Sequence, residues 1–345
     1  MSVVAWPKIS FLIPTLNCDN VLEKCLKSIS LQDYPKDQIE LVIGDGGSTD
    51  RTLAIAQNYN AKIINNPLKT AESGKMAALK FATGDFVALV DSDNELPNTL
   101  WLKNMIEPLL EHEDAVGSEP WEYTLRPTDG FITRYCALIG MNDPLVLFLG
   151  NFDRRNYITD SRNEWTLTPH IEQDFGKYLY VKFGEAGIPT IGANGTVFRT
   201  MFLKEHATGD YLFDIDILAE VLSKQGEVAF IKVKEGILHS YCEADISKFV
   251  RKQKRRVTDY LFYKSSGRRT YPWNKVNYEG YLKFILYCIF VFPLLIQSIK
   301  GYLHKHDSAW AFHVLACEIT LWEYSMGAVK SLFAKSELDR TNWKQ

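Results

Sequence analysis

Short, mainly apolar runs, each closed by a turn and followed by helical spacing, constrain this chain more than anything else in its sequence. Ile9 to Ile13 is closed by Pro14, Ile39 to Ile43 by Gly44-Asp45-Gly46-Gly47, and Phe86 to Val90 ends on Asp91-Ser92-Asp93. A strand exposed on one face alternates apolar and polar residues, whereas a strand buried on both faces does not. Phe86 to Val90, apolar throughout, therefore belongs to a parallel sheet covered by helices on either side, and the repeated strand–helix spacing places the other runs in the same sheet. The helices lie between them. Val21, Leu22, Cys25, Leu26 and Ile29 recur at helical spacing after the N-cap candidates Asn17, Cys18 and Asp19. A second helix is expected from about Asp50 to Tyr59, capped by Ser48 or Thr49, and a third from Ala71 to Phe81, with Ala61 to Asn65 as one more strand. The predicted fold is α/β, a mostly parallel sheet flanked by helices, and such sheets bind ligands beyond the carboxyl ends of their strands. Those ends carry Pro14 to Asn17, Asp45 and Asp91 to Asp93.

The chain has 345 residues, 46% of them hydrophobic, enough for one domain of about 250 residues plus an appendage. Residues 1–120 read as the first half of that domain, 121–270 as its second half, and 271–345 as apolar C-terminal helices. A formal net charge of −3 argues against a surface built to bind nucleic acid. The cysteines at 18, 25, 136, 242, 288 and 317 show no C-x-x-C spacing, which fits a reduced cytosolic setting. Met1 to Pro7 lacks the basic start and long apolar run of a secretory signal. Trp121 to Pro189 has no sustained period; Thr190 to Phe198 resembles a strand broken by Gly192 and Gly195, and Phe213 to Leu222 carries a helical apolar face.

Near the C-terminus, Tyr281 to Ile299 holds only Lys283 and Gln297 as strongly polar members and is about long enough to cross a bilayer, with Pro293 as a kink. Trp310 to Phe333 is apolar but interrupted by His313, Glu318 and Glu323, which suits the membrane interface better than its centre. Arg255, Arg256, Arg268 and Arg269 precede these stretches, and Lys330, Lys335, Arg340 and Lys344 follow them. Basic flanks on both sides predict attachment to the cell membrane with the globular domain on the cytoplasmic face. The alternative is a helical pair packed on a soluble body.

A D-x-D triplet means little by itself, but Asp91 and Asp93 follow a buried strand and are separated by one small residue. Both can therefore reach one hard cation and the phosphate oxygens of its ligand. Gly44-Asp45-Gly46-Gly47-Ser48-Thr49-Asp50 is no phosphate-cradling loop, since it lacks the G-x-x-x-x-G-K-[ST] pattern. Its carboxylate Asp45 suits the N–H of a base such as uracil.

The ordered motifs Ser10-Phe11-Leu12-Ile13-Pro14-Thr15-Leu16-Asn17, Asp45-Gly46-Gly47-Ser48-Thr49-Asp50, Gly74-Lys75 and Asp91-Ser92-Asp93 resemble a family 2 glycosyltransferase of the GT-A, Rossmann-like type, and a non-processive one. The resemblance covers about the first hundred residues closely. It implies an inverting transferase that moves a sugar from a nucleotide-sugar, UDP-sugar favoured, with Mn²⁺ or Mg²⁺ as cofactor. By position, Pro14, Thr15 and Asp45 would border the nucleobase and ribose and Lys75 the nucleotide, with Asn17, Gly46 and Ser92 also in the nucleotide-sugar site. Asp93 would hold the metal directly, with Asp91 nearer the ribose or a metal-bound water and His239 completing coordination. Asp214 aligns best with the catalytic base, although Phe213 stands where the family often has glutamate, and Asp216 is the second candidate. Gln253, Arg255 and Arg256 resemble the Q-x-x-R-W motif, with Val257 in place of tryptophan, and would meet the diphosphate or the acceptor. The acceptor implied is a lipid-linked or other membrane-held saccharide. The competing readings are a polyprenyl-phosphate glycosyltransferase, a sugar-phosphate nucleotidyltransferase and a non-catalytic nucleotide-sugar-binding membrane module.

Overall fold

A computed structural model describes residues 6–159, 165–271 and 277–333. In chain order the elements are β1 (Ile9–Thr15), α1 (Asp19–Ser30), β2 (Ile39–Asp45), α2 (Thr52–Asn58), β3 (Lys62–Asn65), α3 (Ala71–Leu79), β4 (Phe86–Leu89), β5 (Asn94–Glu95), α4 (Trp101–Glu111) and β6 (Ala115–Tyr123). Then come α5 (Phe131–Ile139), α6 (Pro144–Leu149), β7 (His170–Asp174), β8 (Tyr178–Phe183), β9 (Thr196–Arg199), α7 (Thr200–His206) and α8 (Asp214–Gln225). The chain closes with β10 (Val228–His239), α9 (Ile246–Ser265), α10 (Tyr278–Phe290), α11 (Phe292–His304) and α12 (His313–Phe333).

One sheet runs β3-β2-β1-β4-β9-β6-β10-β8-β7. The first four strands are parallel, with Ile9 beside Ile39 and Phe86. Every residue of β1 and β4 is buried, β4 being apolar throughout and β1 broken only by Ser10 and Thr15. Beyond β4 the expectation of a mostly parallel sheet fails, because β9 inserts antiparallel between β4 and β6 and the hairpin β7–β8 closes the far edge. The sheet is therefore mixed, and the α/β class stands. The strand expected over Thr190 to Phe198 begins only at Thr196, since Gly195 turns the chain at φ +80°.

Helix starts follow local chemistry. Thr70 and Ser73 form a reciprocal capping box at the start of α3. The second helix is not capped by Ser48 or Thr49; Asp50 accepts from the Thr52 amide at 2.9 Å and the helix begins two residues later than expected. Gly44 and Gly74 let α3 press onto β2: a Cβ on Gly44 would lie 2.2 Å from the Gly74 carbonyl oxygen. That contact delivers the next residue, Lys75, to the strand ends.

Beneath the carboxyl ends of the strands lies a fully buried charge cluster. Lys232 Nζ donates to Glu119 at 2.5 Å and also to the Asp153 carbonyl, while Arg154 meets Glu119 at 3.2 Å and stacks over the Tyr123 ring. Burial and the Glu119 charge push the Asp153 carboxyl up. Removing one member of such a cluster leaves its partner charged and unpaired. Glu119→Ala is expected to cost about 3–5 kcal/mol and to lower the melting temperature by roughly 10 °C in a thermal scan. A shift within a degree or two would mean that the cluster is not buried in solution.

The C-terminal helices pack a third core of their own against α5 and α6, around Tyr135, Phe148, Phe284 and Trp310. His313 sits inside it, bonded to Tyr135 at 2.8 Å and Gln297 at 3.1 Å. All six cysteines are buried, and none of them is in a disulfide. Lys335, Arg340 and Lys344 lie outside the described residues.

Candidate functional site

The site forms where β1, β2 and β4 end. Asp45, last residue of β2, is buried and held on every side: Thr15 Oγ1 at 2.8 Å and Ser48 Oγ at 2.6 Å donate to Oδ1, and the Gly47 and Ser48 amides, each at 2.8 Å, to Oδ2. Its carboxylate thus organises its own loop, and a base N–H would have to displace one of these donors. Asn17, at φ +44°, ties this loop to the end of β1, its side-chain oxygen accepting from the Thr49 amide at 2.8 Å. Pro14 lies against α3, 2.9 Å from where a Cβ on Gly74 would be, and Gly46 continues the loop with its amide on the Thr15 carbonyl at 2.8 Å.

Asp91 follows β4 and meets Lys75 at 2.7 Å. Burial alone would lower the lysine, but Asp91 and then Asp214 outweigh it and hold its ammonium charged. Ser92 is half-buried between the two aspartates. Asp93 is fixed by the short strand β5, which pairs Asn94 with His239 and Glu95 with Leu238 at the end of β10. His239 Nε2 lies 3.5 Å from Asp93 and Lys252 Nζ 3.9 Å. Burial on its own would raise the Asp93 carboxyl, yet His239 and the lysines of α9 hold it well below the usual carboxylate range. Among the described residues no cluster of three or more potential ligands forms. An aspartate oxygen and an imidazole nitrogen converge nonetheless, a donor pair that suits Mn²⁺ or Mg²⁺ if a ligand's phosphates supply the remaining oxygens.

Adjacent to these groups is a cleft of about 590 Å³ lined by Asp214, Tyr123, Arg154, Asn194, Lys252 and Arg269 on its polar side. Met141, Leu145, Val146, Val257, Tyr260 and Tyr324 form its apolar wall. Asp214 opens α8, and burial pushes its carboxyl up to about 6 against the opposing pull of Lys75. Asp216 is engaged elsewhere. It meets Arg269 at 2.7 Å and accepts from the Thr270 and Tyr271 amides, pinning that segment to α8. Of the two candidate bases, only Asp214 lines the cleft.

The basic motif on α9 divides its work. Gln253, fully buried, and Arg256 both donate to the Asn142 carbonyl, at 2.9 and 3.1 Å, so they brace the turn between α5 and α6. Asn142 in turn meets His239 at 3.4 Å. Arg255 and Arg256 both line the cleft. Sequence reasoning missed Lys252, Tyr123, Arg154 and Asn194. Lys252 had a signal, since it stands four residues before Arg256 and shares its helix face.

Residues 10–179 match the model of glycosyl transferase family 2. The chain is similar to the poly(ribitol-phosphate) beta-N-acetylglucosaminyltransferase TarS of Staphylococcus aureus, 36% identical over 115 residues that make up 32% of this chain and 20% of the relative. It is likewise similar to a GalNAc(5)-diNAcBac-PP-undecaprenol beta-1,3-glucosyltransferase of Campylobacter jejuni, 37% identical over 97 residues, 26% of this chain and 31% of the relative. The match thus spans a fifth to a third of these relatives' length. A solved structure of S. aureus TarS residues 1–349 with UDP aligns over 96% of this chain and 94% of that one, at 18% identity and a TM-score of 0.43.

Proposed function

We propose that the protein is an inverting glycosyltransferase that moves a sugar from a nucleotide-sugar, a UDP-sugar in the first instance, to a lipid-linked or otherwise membrane-held saccharide. The observation that carries this reading is the pairing of opposite tasks across one lysine. Lys75 neutralises Asp91 on the donor side at 2.7 Å, and its charge also reaches Asp214, the raised carboxyl of the cleft. Inversion needs a base on the face of the sugar opposite the leaving diphosphate. Asp214 would take the proton of the acceptor hydroxyl there. Asp93 and His239 would hold the metal, whose charge offsets that of the departing diphosphate. Lys252, beside Asp93, adds a second positive charge at the same place.

The membrane part of the proposal rests on the apolar faces of α10 and α11 and on the cleft's apolar wall. The C. jejuni relative, whose name gives an undecaprenol-linked acceptor, supports the same class. With those helices on the cell membrane, the catalytic domain would face the cytoplasm. A screen of nucleotide-sugars for nucleotide release, with and without Mn²⁺ or Mg²⁺ and with membrane lipid extract as acceptor, tests the whole reading. UDP release stimulated by both metal and extract is expected. A full donor panel that yields none would overturn it.

A further inference from the structure

The segment from α10 to α11 carries the largest unpartnered apolar surface of the described chain. Leu282, Ile289, Phe290, Phe292, Ile299 and Leu303 are each 59–67% exposed. From Phe284 to Ile299 no residue is charged, and Lys283 and Lys300 bound the run on either side. Exposed apolar surface on this scale marks an interaction site. A helix of about 20 residues would be needed to cross the bilayer's hydrocarbon core of roughly 30 Å. Each of these helices has 13 residues, about 20 Å of length, and they meet at 98°.

The corner is built in. Val291 takes φ +58° between the two helices, and Pro293 opens α11 where its missing N–H costs nothing. Both outer ends return to one globular body. The start of α10 is pressed onto α6, where a Cβ on Gly280 would lie 2.2 Å from the Phe148 carbonyl oxygen, and Phe284 packs against the Phe148 ring at 5.1 Å. The end of α11 is tied back by His304 to the Tyr157 carbonyl at 2.8 Å, and just beyond it Asp307 pairs with Arg134 at 3.2 Å. A segment whose two ends are fastened to the same side cannot pass through. Phe131–Leu149 matches a membrane span in length and hydropathy, but it is mostly buried inside the protein.

We infer that α10 and α11 form a bent wedge that enters one leaflet of an anionic phospholipid membrane and leaves it on the same side, instead of spanning it. The apolar corner from Ile289 to Phe292 enters deepest, and Lys283 and Lys300 reach back to the phosphates as their apolar stems stay in the leaflet. The wedge adjoins the cleft, since Tyr281 of α10 lines it. An amphiphilic acceptor lying in that leaflet therefore meets the catalytic cleft without leaving the membrane. This inference rests on the membrane-held acceptor proposed above, and it fixes how the protein sits on that membrane.

The full chain is expressed in a bacterial host, and inside-out vesicles are treated with a membrane-impermeant maleimide before and after detergent. Met201→Cys, 75% exposed, marks the catalytic side, and Lys305→Cys marks the far end of the wedge. Because the native cysteines are all buried, the unsubstituted chain gives the background. Both variants are expected to label fully without detergent, in protein that stays with the membranes after a high-salt wash. Ile289→Lys with Phe292→Lys is expected to raise the soluble fraction at least about tenfold while nucleotide-sugar hydrolysis persists. Labelling of Lys305→Cys only after detergent would mean that the segment crosses, overturning the wedge and keeping membrane attachment. A washed wild-type chain found in the soluble fraction, whether monomeric or as an oligomer covering this face, would overturn both. Donor hydrolysis in that soluble fraction would still uphold the transferase reading.

Discussion

Asp93→Ala is expected to reduce sugar transfer by about 10³-fold, because a bound cation contributes several kcal/mol to stabilising charge on the leaving group and each 1.36 kcal/mol is a tenfold change in rate. The expectation follows from where Asp93 stands. Strand β5 pairs with the end of β10 and so sets Asp93 3.5 Å from His239, where a carboxylate and an imidazole converge. The Asp91 carboxylate is already matched by Lys75 and cannot substitute without giving up that pair. Asp93→Asn keeps the shape and loses the charge, so it should fall nearly as far. Steady-state rates over a Mn²⁺ titration, with the thermal midpoint followed in parallel, check the result. If either variant keeps a rate within threefold of the parent, the metal assignment is wrong, and Lys252 would be left to balance the diphosphate.

The N-terminal half was legible because its constraints are local. Strands β1 and β4 are buried on both faces, and β2 over its second half, so all three appear as mainly apolar runs, and the loops at their ends follow directly. The mixed character of the sheet was hidden, since β9 is only four residues, Thr-Val-Phe-Arg, and nothing in so short a run encodes the direction in which it pairs. Long-range partnerships were hidden for a related reason. Gln253 and Arg256 read as a ligand-binding motif, but their partner is the carbonyl of Asn142, more than a hundred positions earlier. Asp216 likewise looked equivalent to Asp214, two residues apart at one helix start, until the segment around Arg269 claimed it. A carboxylate's neighbours along the chain indicate its secondary structure; its neighbours across the fold decide its role. The apolar C-terminal stretch was legible as an apolar stretch, and its 98° corner was foreshadowed only by Pro293, two residues past the turn at Val291.

Asp214→Asn is expected to lower kcat by about 10²–10⁴-fold, the usual contribution of a positioned general base, with the KM for donor little changed if the cleft that Asp214 lines takes the acceptor, as proposed. The pH dependence sharpens the test. The ionised carboxylate is the acting form, and burial pushes its pKa up to about 6, so kcat/KM should rise with pH through about 6 and level off above it. The asparagine variant should lose that limb altogether. Lys75 opposes the upward shift, so Lys75→Met should move the limb to higher pH as well as slow the reaction. The same measurements separate the two acceptor classes. A sugar hydroxyl must be deprotonated as it attacks, whereas a polyprenyl phosphate is already anionic at neutral pH and needs no base. If Asp214→Asn transfers at the parent rate while Asp93→Ala does not, the acceptor is a phosphate and Asp214 only shapes the cleft. If both fall, the raised carboxyl at the head of α8 is the base, and the protein extends a saccharide that is already in place.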